Sequence, residues 1–135
     1  MQIQADRKGK VIVLSLSGHF DLATHERFRK IFESLFTGNV KYFVCDLKDV
    51  VFISSVAIGL LVGANEKARE TGGDLRLSGV NKKILKPFEV MRFDKIFKIF
   101  DTVDDAVSSF EDDKKQTSTD SYAELEDILK SIGHL

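Results

Sequence analysis

The chain has 135 residues, of which 43% are hydrophobic and 30% charged, and its formal net charge at pH 7 is -1. Such a chain can build one soluble domain with a real core and is too short for two ordinary domains. Its near-neutral charge provides neither a basic field for nucleic acid nor a polybasic patch for membranes.

The cysteine count and the N-terminal sequence indicate the cellular compartment of the protein. The single cysteine cannot form an internal disulfide, and residues 1–6 lack the charged-then-apolar pattern of a signal peptide. No apolar run approaches the ~18 residues that span a bilayer. We therefore expect a cytoplasmic protein that contacts neither membrane nor nucleic acid.

The first predicted elements are two strands and a helix. Residues 2–5 can form a short edge strand, and residues 11–17 form a β-branched strand that Gly18 ends. Residues 25–36 carry apolar side chains at helical spacing, which predicts an amphipathic helix on a sheet. The expected helix signals are a cap at Asp21 or Thr24 and a stop at Gly38.

The next strand and helix flank a pair of serines. Residues 40–47 predict a buried strand, Lys48-Asp49 a turn, and residues 50–53 lead to Ser54-Ser55. The following helix, residues 56–68, starts apolar almost all round, so we expect it to be buried on most sides. Its Gly59 and Gly63 predict a close approach to the sheet or to another helix; the alternative is that both are merely tolerated.

The last domain elements are shorter. Residues 74–80 predict a strand with one wet face, and Asn81 caps a helix through Met91 that Pro87 kinks or ends. Residues 93–100 predict a loop entering a short strand. Asp101-Thr102 then caps a helix over residues 103–110.

A polar stretch divides the C-terminus from the domain. Residues 112–120 predict a linker, and residues 121–135 an amphipathic helix. That helix could fold back on the domain, dock to a partner, fray, or join two copies as a homodimer. The domain itself spans residues 1–111, and its alternating strands and helices predict an α/β fold with a mixed, mostly parallel sheet of four or five strands and about four helices.

Catalytic patterns are absent from the sequence. The histidines His19, His25 and His134 are scattered, Cys45 lies in an apolar strand, and no glycine-rich phosphate loop follows a strand. We therefore expect no catalytic residues, no metal and no cofactor, and we predict a protein that is not an enzyme.

The serine pair is the most informative feature. Ser54 and Ser55 stand where a helix begins, with backbone N–H groups that lack partners and the positive end of the dipole. One serine can be a helix cap worth about 1 kcal/mol. Alternatively, a kinase phosphorylates one of them and changes what the surface can bind.

Residues 46–59 resemble the signature of STAS domains of the bacterial anti-sigma factor antagonist family. In that family a strand ending Asp-Leu leads to a hydrophobic loop and to Asp-Ser-[Ser/Thr]-Gly-Leu-Gly at the start of a helix; here the stretch is Asp-Leu-Lys-Asp-Val-Val-Phe-Ile-Ser-Ser-Val-Ala-Ile-Gly. The similarity continues in residues 18–21, 75–80, 93–97 and 101–106. It covers about residues 1–111 and implies the STAS fold.

One departure falls at the phosphorylated position. Aligned through Phe52 and Gly59, Ser54 takes the family's acidic position and Ser55 its first serine, while Val56 takes the phosphorylated position. Valine cannot be phosphorylated. Either Ser55 or Ser54 serves as a displaced acceptor, or this member is not switched by phosphate.

The resemblance implies a domain that binds an anti-sigma factor, usually a serine kinase of the histidine-kinase-like ATPase fold, and thereby frees a sigma factor. The implied partner-binding residues are Asp21, Phe52, Ile53, Ser54, Ser55, Val56 and Ala57. The alternative is a STAS scaffold or subunit, not switched, in another signalling or transporter-associated complex.

Overall fold

The structure is a computed structural model that describes the backbone of residues 1–117 and the side chains of residues 1–111. Its strands are β1 (Gln2–Lys8), β2 (Val11–Phe20), β3 (Tyr42–Ile53), β4 (Asp74–Ser78) and β5 (Ile99–Phe100). Its helices are α1 (His25–Thr37), α2 (Ser55–Glu70), α3 (Lys82–Val90) and α4 (Val103–Thr117). The predicted order of elements and the α/β class are confirmed.

The five strands form one sheet in chain order, β1-β2-β3-β4-β5. β1 is antiparallel to β2, and the other neighbouring pairs are parallel. Each parallel pair is joined by a helix, and right-handed crossovers that all step in one direction place α1, α2 and α3 on the same face. The fourth helix, α4, packs on the other face.

Two hydrophobic cores follow from this arrangement. The larger core lies between the sheet and α1, α2 and α3; among its fully buried side chains are Phe28, Phe43, Ile58, Leu77 and Phe88. The smaller core lies beneath α4 and comprises Val11, Val13, Val44, Ala106 and Phe110. Within residues 1–117, one sheet face is thus covered by three helices and the other by a single helix.

Both long strands run further than predicted. Gly18 does not end β2, and Lys48-Asp49 lies inside β3 rather than in a turn. Ser15 pairs with Asp46 while Ser17 pairs with Asp49, so β3 holds an extra residue at this point, and a second register shift follows at His19. The turn-like residues are therefore accommodated as β-bulges within a continuing strand.

The prediction that one face of β4 is exposed to solvent is wrong, because all five residues of the strand are buried. Asp74 and Arg76, which suggested exposure, form an ion pair beneath α4 with Arg76 Nε 3.0 Å from Asp74 Oδ2. The Arg76 guanidinium also lies 3.9 Å from the centre of the Phe110 ring. The ion pair compensates these two charged side chains for the hydration that they lose on burial.

The prediction for the glycines of α2 is also wrong. A Cβ added at Gly59 or Gly63 would meet nothing within 4 Å outside the helix's own backbone, so neither glycine permits a close approach within the described residues. The helix is buried along one face, through Ala57, Ile58, Leu61, Ala64, Asn65 and Ala68, and not on most sides. The exposed Gly59 and the half-buried Val62 and Gly63 lie outside this buried face.

The remaining predicted helix signals are mostly confirmed. Asn81 caps α3 by accepting from Ile84 N at 2.9 Å, and Thr102 accepts from Asp105 N at 3.1 Å at the start of α4. Pro87 does not end α3, which continues to Val90. The fourth helix continues through Thr117, so it enters the segment predicted as a linker, and the predicted helix at 121–135 lies outside the described residues.

Candidate functional site

The serine pair lies at the carboxyl ends of β2 and β3. Ser54 N donates to Phe20 O at 2.9 Å, which ties the start of α2 to the last residue of β2. A single residue, Ser54, separates β3 from α2, so the predicted loop is a tight strand-to-helix junction. The junction therefore has a fixed backbone and presents a small set of side chains at one end of the sheet.

The two serines have different environments. Ser54 is the N-cap of α2, with φ -90° and ψ 165°, and its Oγ accepts from Ala57 N at 3.1 Å. It is half-buried, whereas Ser55, the first residue of the helix, is exposed. The predicted cap is therefore Ser54, and Ser55 presents the accessible hydroxyl.

Apolar side chains are exposed around this junction. Phe52 is 48% exposed and Val56 is 44% exposed, on either side of the serines. Leu22, in the connector that follows β2, is 68% exposed. The ring of His19, the register partner of Phe52, lies 6.2 Å from the Phe52 ring between centroids. Burying such side chains against a partner is favourable, so the patch has the chemistry of a protein contact.

Two of the predicted contact residues point into the core. Ile53 is 4% exposed and Ala57 is fully buried. Ile53 ends β3, and Ala57 lies on the α2 face that packs on the sheet, so a partner cannot reach either side chain. They support the surface from beneath, and we remove them from the set of contact side chains.

Asp21 is half-buried and organises the connector between β2 and α1. Its Oδ1 accepts from Ala23 N at 3.0 Å, and its backbone carbonyl accepts from His25 N at 2.8 Å. Thr24 occupies the N-cap position without a side-chain cap bond; its Oγ1 accepts from Asp21 N at 3.0 Å and donates to His19 O at 2.7 Å. Thr24 is therefore the N-cap residue, but neither the Asp21 nor the Thr24 side chain accepts from an N–H group of α1, so the predicted side-chain cap is wrong.

The sequence missed three exposed residues of this region. His19, Leu22 and Val51 lie next to the predicted residues, and Leu22 and Val51 are large apolar side chains 68% and 53% exposed. The exposure of Val51 could have been predicted from the run of four apolar residues from Val50 to Ile53. Such a run does not fit the alternation of apolar and polar side chains in a half-buried strand. A run of this kind requires some apolar side chains to face solvent unless both faces are covered.

The described part of the chain holds no candidate metal centre. No group of three or more His, Cys, Asp or Glu residues there could hold a metal ion. Cys45 is buried, and desolvation, with a smaller contribution from the Asp46 carboxylate, raises the pKa of its thiol far above the ordinary value. None of the helices in residues 1–117 has the length and hydropathy of a bilayer span.

Known proteins resemble this chain over most of its length. The STAS domain family model matches residues 2–106. The anti-sigma-F factor antagonist RsfB of Mycobacterium tuberculosis is 31% identical over 106 residues, which cover 77% of this chain and 84% of that protein.

Solved structures share the fold. An anti-sigma factor antagonist from Mycobacterium paratuberculosis has a TM-score of 0.73 at 24% identity, over 80% of this chain and 92% of that chain. The Bacillus cell fate determinant SpoIIAA in its phosphorylated form has a TM-score of 0.66 at 19% identity, over 81% of this chain and 99% of that chain. The expectation drawn from residues 46–59 is confirmed: this chain belongs to the STAS domain family.

Proposed function

We propose that this protein is an anti-sigma factor antagonist, which binds an anti-sigma factor and so frees a sigma factor for transcription. Membership of the STAS family and the antagonist role named for RsfB support the proposal. The protein then acts by occupying a partner and not by catalysis.

The observation that carries the proposal is the exposed apolar patch at the start of α2. We name as the contact surface Asp21, Leu22, Phe52, Ser55 and Val56, which lie in the connector after β2, at the carboxyl end of β3 or in the first turn of α2. The backbone beneath is held by the bond from Ser54 N to Phe20 O. A rigid surface that exposes a Phe and a Val beside hydroxyl groups can bind a partner with little loss of conformational entropy.

The finer proposal concerns regulation. We propose that the anti-sigma factor is a serine kinase of the histidine-kinase-like ATPase fold and that Ser55 is the residue it phosphorylates. Ser55 is exposed, whereas Ser54 Oγ accepts a bond from Ala57 N. A phosphate on the first residue of α2 is compatible with the helix dipole, so the domain stays folded. The added charge lies beside Val56 and opposes an apolar contact.

Val56 supports a second candidate, a STAS domain that binds its partner without a phosphate switch. An apolar side chain, 44% exposed, occupies the position that the family phosphorylates. The two candidates share the contact surface and differ in whether the partner modifies Ser55.

Binding is tested by calorimetry with the anti-sigma factors of the same genome, using Val56→Asp and the matched control Val90→Asp. Val90 is 75% exposed and ends α3, away from the contact surface. We expect Val56→Asp to weaken binding at least tenfold, the scale of one central contact residue, and Val90→Asp to leave it unchanged. Equal affinities for the two variants would refute the contact surface, and no binding to any anti-sigma factor would refute the function.

Phosphorylation is tested by intact mass and site mapping of the protein purified from its native cells. Phosphate on Ser55 that disappears in Ser55→Ala and persists in Ser54→Ala supports the switch. A protein that binds its anti-sigma factor but carries no phosphate on either serine under any growth condition supports the second candidate.

A further inference from the structure

A cavity of about 730 Å³ lies at the opposite end of the sheet from the contact surface. It is bordered by the first residues of the parallel strands, by the turn after α2 and by α4. The ten residues of β2 extend about 30 Å between the two ends. The cavity is therefore separate from the surface proposed to bind the anti-sigma factor.

The floor of the cavity is apolar and aromatic. It includes Val11, Tyr42, Val107 and Phe110, which belong to or pack against the smaller core beneath α4. The Tyr42 and Phe110 rings meet edge to face with their centroids 5.4 Å apart. Tyr42 and Val107 are half-buried, so part of the apolar floor remains open beside α4, whereas Val11 and Phe110 are already buried.

The rim of the cavity is cationic. Lys8 and Lys10 flank the β1–β2 turn and are exposed, and Arg69 and Lys98 line the other side. Two carboxylates, Asp74 and Glu111, also line the cavity, but Asp74 already pairs with Arg69 and Arg76. An occupant that matches this cavity has an apolar face flanked by negative charge.

The C-terminal segment of the same chain has that chemistry. Its apolar residues recur at helical spacing as Tyr122, Leu125, Ile128, Leu129 and Ile132. Its acidic residues are Asp120, Glu124, Glu126 and Asp127, against one lysine, Lys130. Apolar residues match the floor, and the excess of negative charge matches the lysines of the rim.

The length of chain permits the contact. Glu111 lines the cavity, and α4 continues to Thr117, which carries the chain about 9 Å further along the helix axis. Residues 118–120 can span about 10 Å when extended, enough to reverse this displacement. Residues 121–132 would form a helix about 18 Å long, comparable with the cavity and its rim.

We propose that residues 121–132 dock as an amphipathic helix into this cavity of their own chain, with the apolar face on Tyr42 and Val107 and the acidic residues beside Lys8 and Lys10. The docked segment completes the cover of the sheet face that α4 begins. Its position at the far end of the sheet leaves the contact surface open, so the proposal does not depend on the function proposed above.

The test places a spin label on the C-terminal segment and reads its effect on backbone amide signals by NMR. Glu126→Cys in the full chain supplies the label site, and the buried Cys45, whose thiol pKa is raised, does not compete for the reagent. We expect loss of signal intensity at Lys8, Gly9, Lys10 and Gly72 and none at Phe52 and Ser55. Loss confined to Phe52 and Ser55 would show instead that the segment masks the contact surface, and a chain without localised loss would equally overturn the proposal.

Charge reversal and isotope mixing sharpen the test. Lys8→Glu with Lys10→Glu is expected to abolish the effect, and adding Glu124→Lys with Asp127→Lys is expected to restore it. The control pair Lys30→Glu with Lys95→Glu, exposed and outside the cavity lining, is expected to leave it intact. Signal loss in an isotope-labelled chain mixed with a separate spin-labelled chain would place the segment in a second copy and overturn docking within the chain.

Discussion

Asp74 Oδ2 accepts a hydrogen bond from Arg76 Nε at 3.0 Å, and the two side chains are only 12% and 4% exposed. The other carboxylate oxygen accepts from Asn65 Nδ2 at 3.0 Å and from Arg69 Nε at 3.1 Å. Arg76 in turn donates to Ser109 Oγ at 2.6 Å. Through these bonds the first residue of β4 joins α2 on one face of the sheet to α4 on the other.

Asp74→Ala is expected to lower the free energy of unfolding by about 3–5 kcal/mol, because it removes the buried carboxylate that accepts from Arg76, Asn65 and Arg69. Asp6→Ala, an exposed aspartate on β1, is the control and should change stability by less than about 0.5 kcal/mol. Urea denaturation followed by circular dichroism measures both. Similar midpoints for the two variants would show that Asp74 does not hold these elements together.

Gly73→Ala is expected to lower the stability of the protein, and Gly59→Ala is expected to raise it. A Cβ at Gly73 would overlap the carbonyl oxygen of Lys41 and lie 2.6 Å from its carbon, both backbone atoms that cannot rotate away. We expect a loss of about 2 kcal/mol or more from this overlap. At Gly59 a Cβ meets nothing within 4 Å, so alanine should raise the stability of α2 by about 0.5–1 kcal/mol. Thermal denaturation distinguishes the two, and a stabilising Gly73→Ala would contradict the contact with Lys41.

Glu26 should show a pH-dependent contribution to stability. The hydrogen bond from Arg29, 2.7 Å between Nη2 and Oε2, together with its charge lowers the pKa of the Glu26 carboxyl. The folded-state pKa is below the unfolded one, so the contribution is present above the unfolded pKa and is lost as the pH falls through the folded pKa. NMR titration of the Glu26 carboxyl should show its pKa return toward the ordinary value in Arg29→Gln. An unchanged pKa would show that Arg29 does not cause the lowering.

Ser55→Asp is expected to weaken binding of the anti-sigma factor at least tenfold, because it brings a charge to the exposed start of α2 beside Val56. Ser108→Asp, on the exposed face of α4, carries the same change away from the contact surface and should bind as the unmodified protein does. Both variants should unfold at the same temperature as the parent. Retained affinity in Ser55→Asp would place Ser55 outside the interface.

The sequence was sufficient where local chemistry decided the structure. Ser54 and Asn81 cap their helices because a short side-chain oxygen can accept from the N–H group three residues ahead. The alternation of strands and helices predicted the sheet, and residues 46–59 predicted the family.

Tertiary contacts decided the rest. Lys48-Asp49 has turn-forming residues, but pairing with β2 continues past it and converts the turn into a bulge. Asp74 and Arg76 are charged, so the sequence predicted that their side of β4 faces solvent. The structure buries them as an ion pair beneath α4, a helix that comes later in the chain. Ile53 and Ala57 belong to the family motif, yet which motif residues face solvent is settled by the packing of α2 on the sheet.

The order of the strands in the sheet has a consequence for synthesis. Because β1 to β5 are neighbours in space in the order in which they leave the ribosome, each strand emerges beside a partner that is already available. The chain can therefore assemble from its N-terminus without waiting for a distant segment. Among the described elements the helix α4 is synthesised last, so Val11 and Val44 stay uncovered by it until residues 103–110 have emerged.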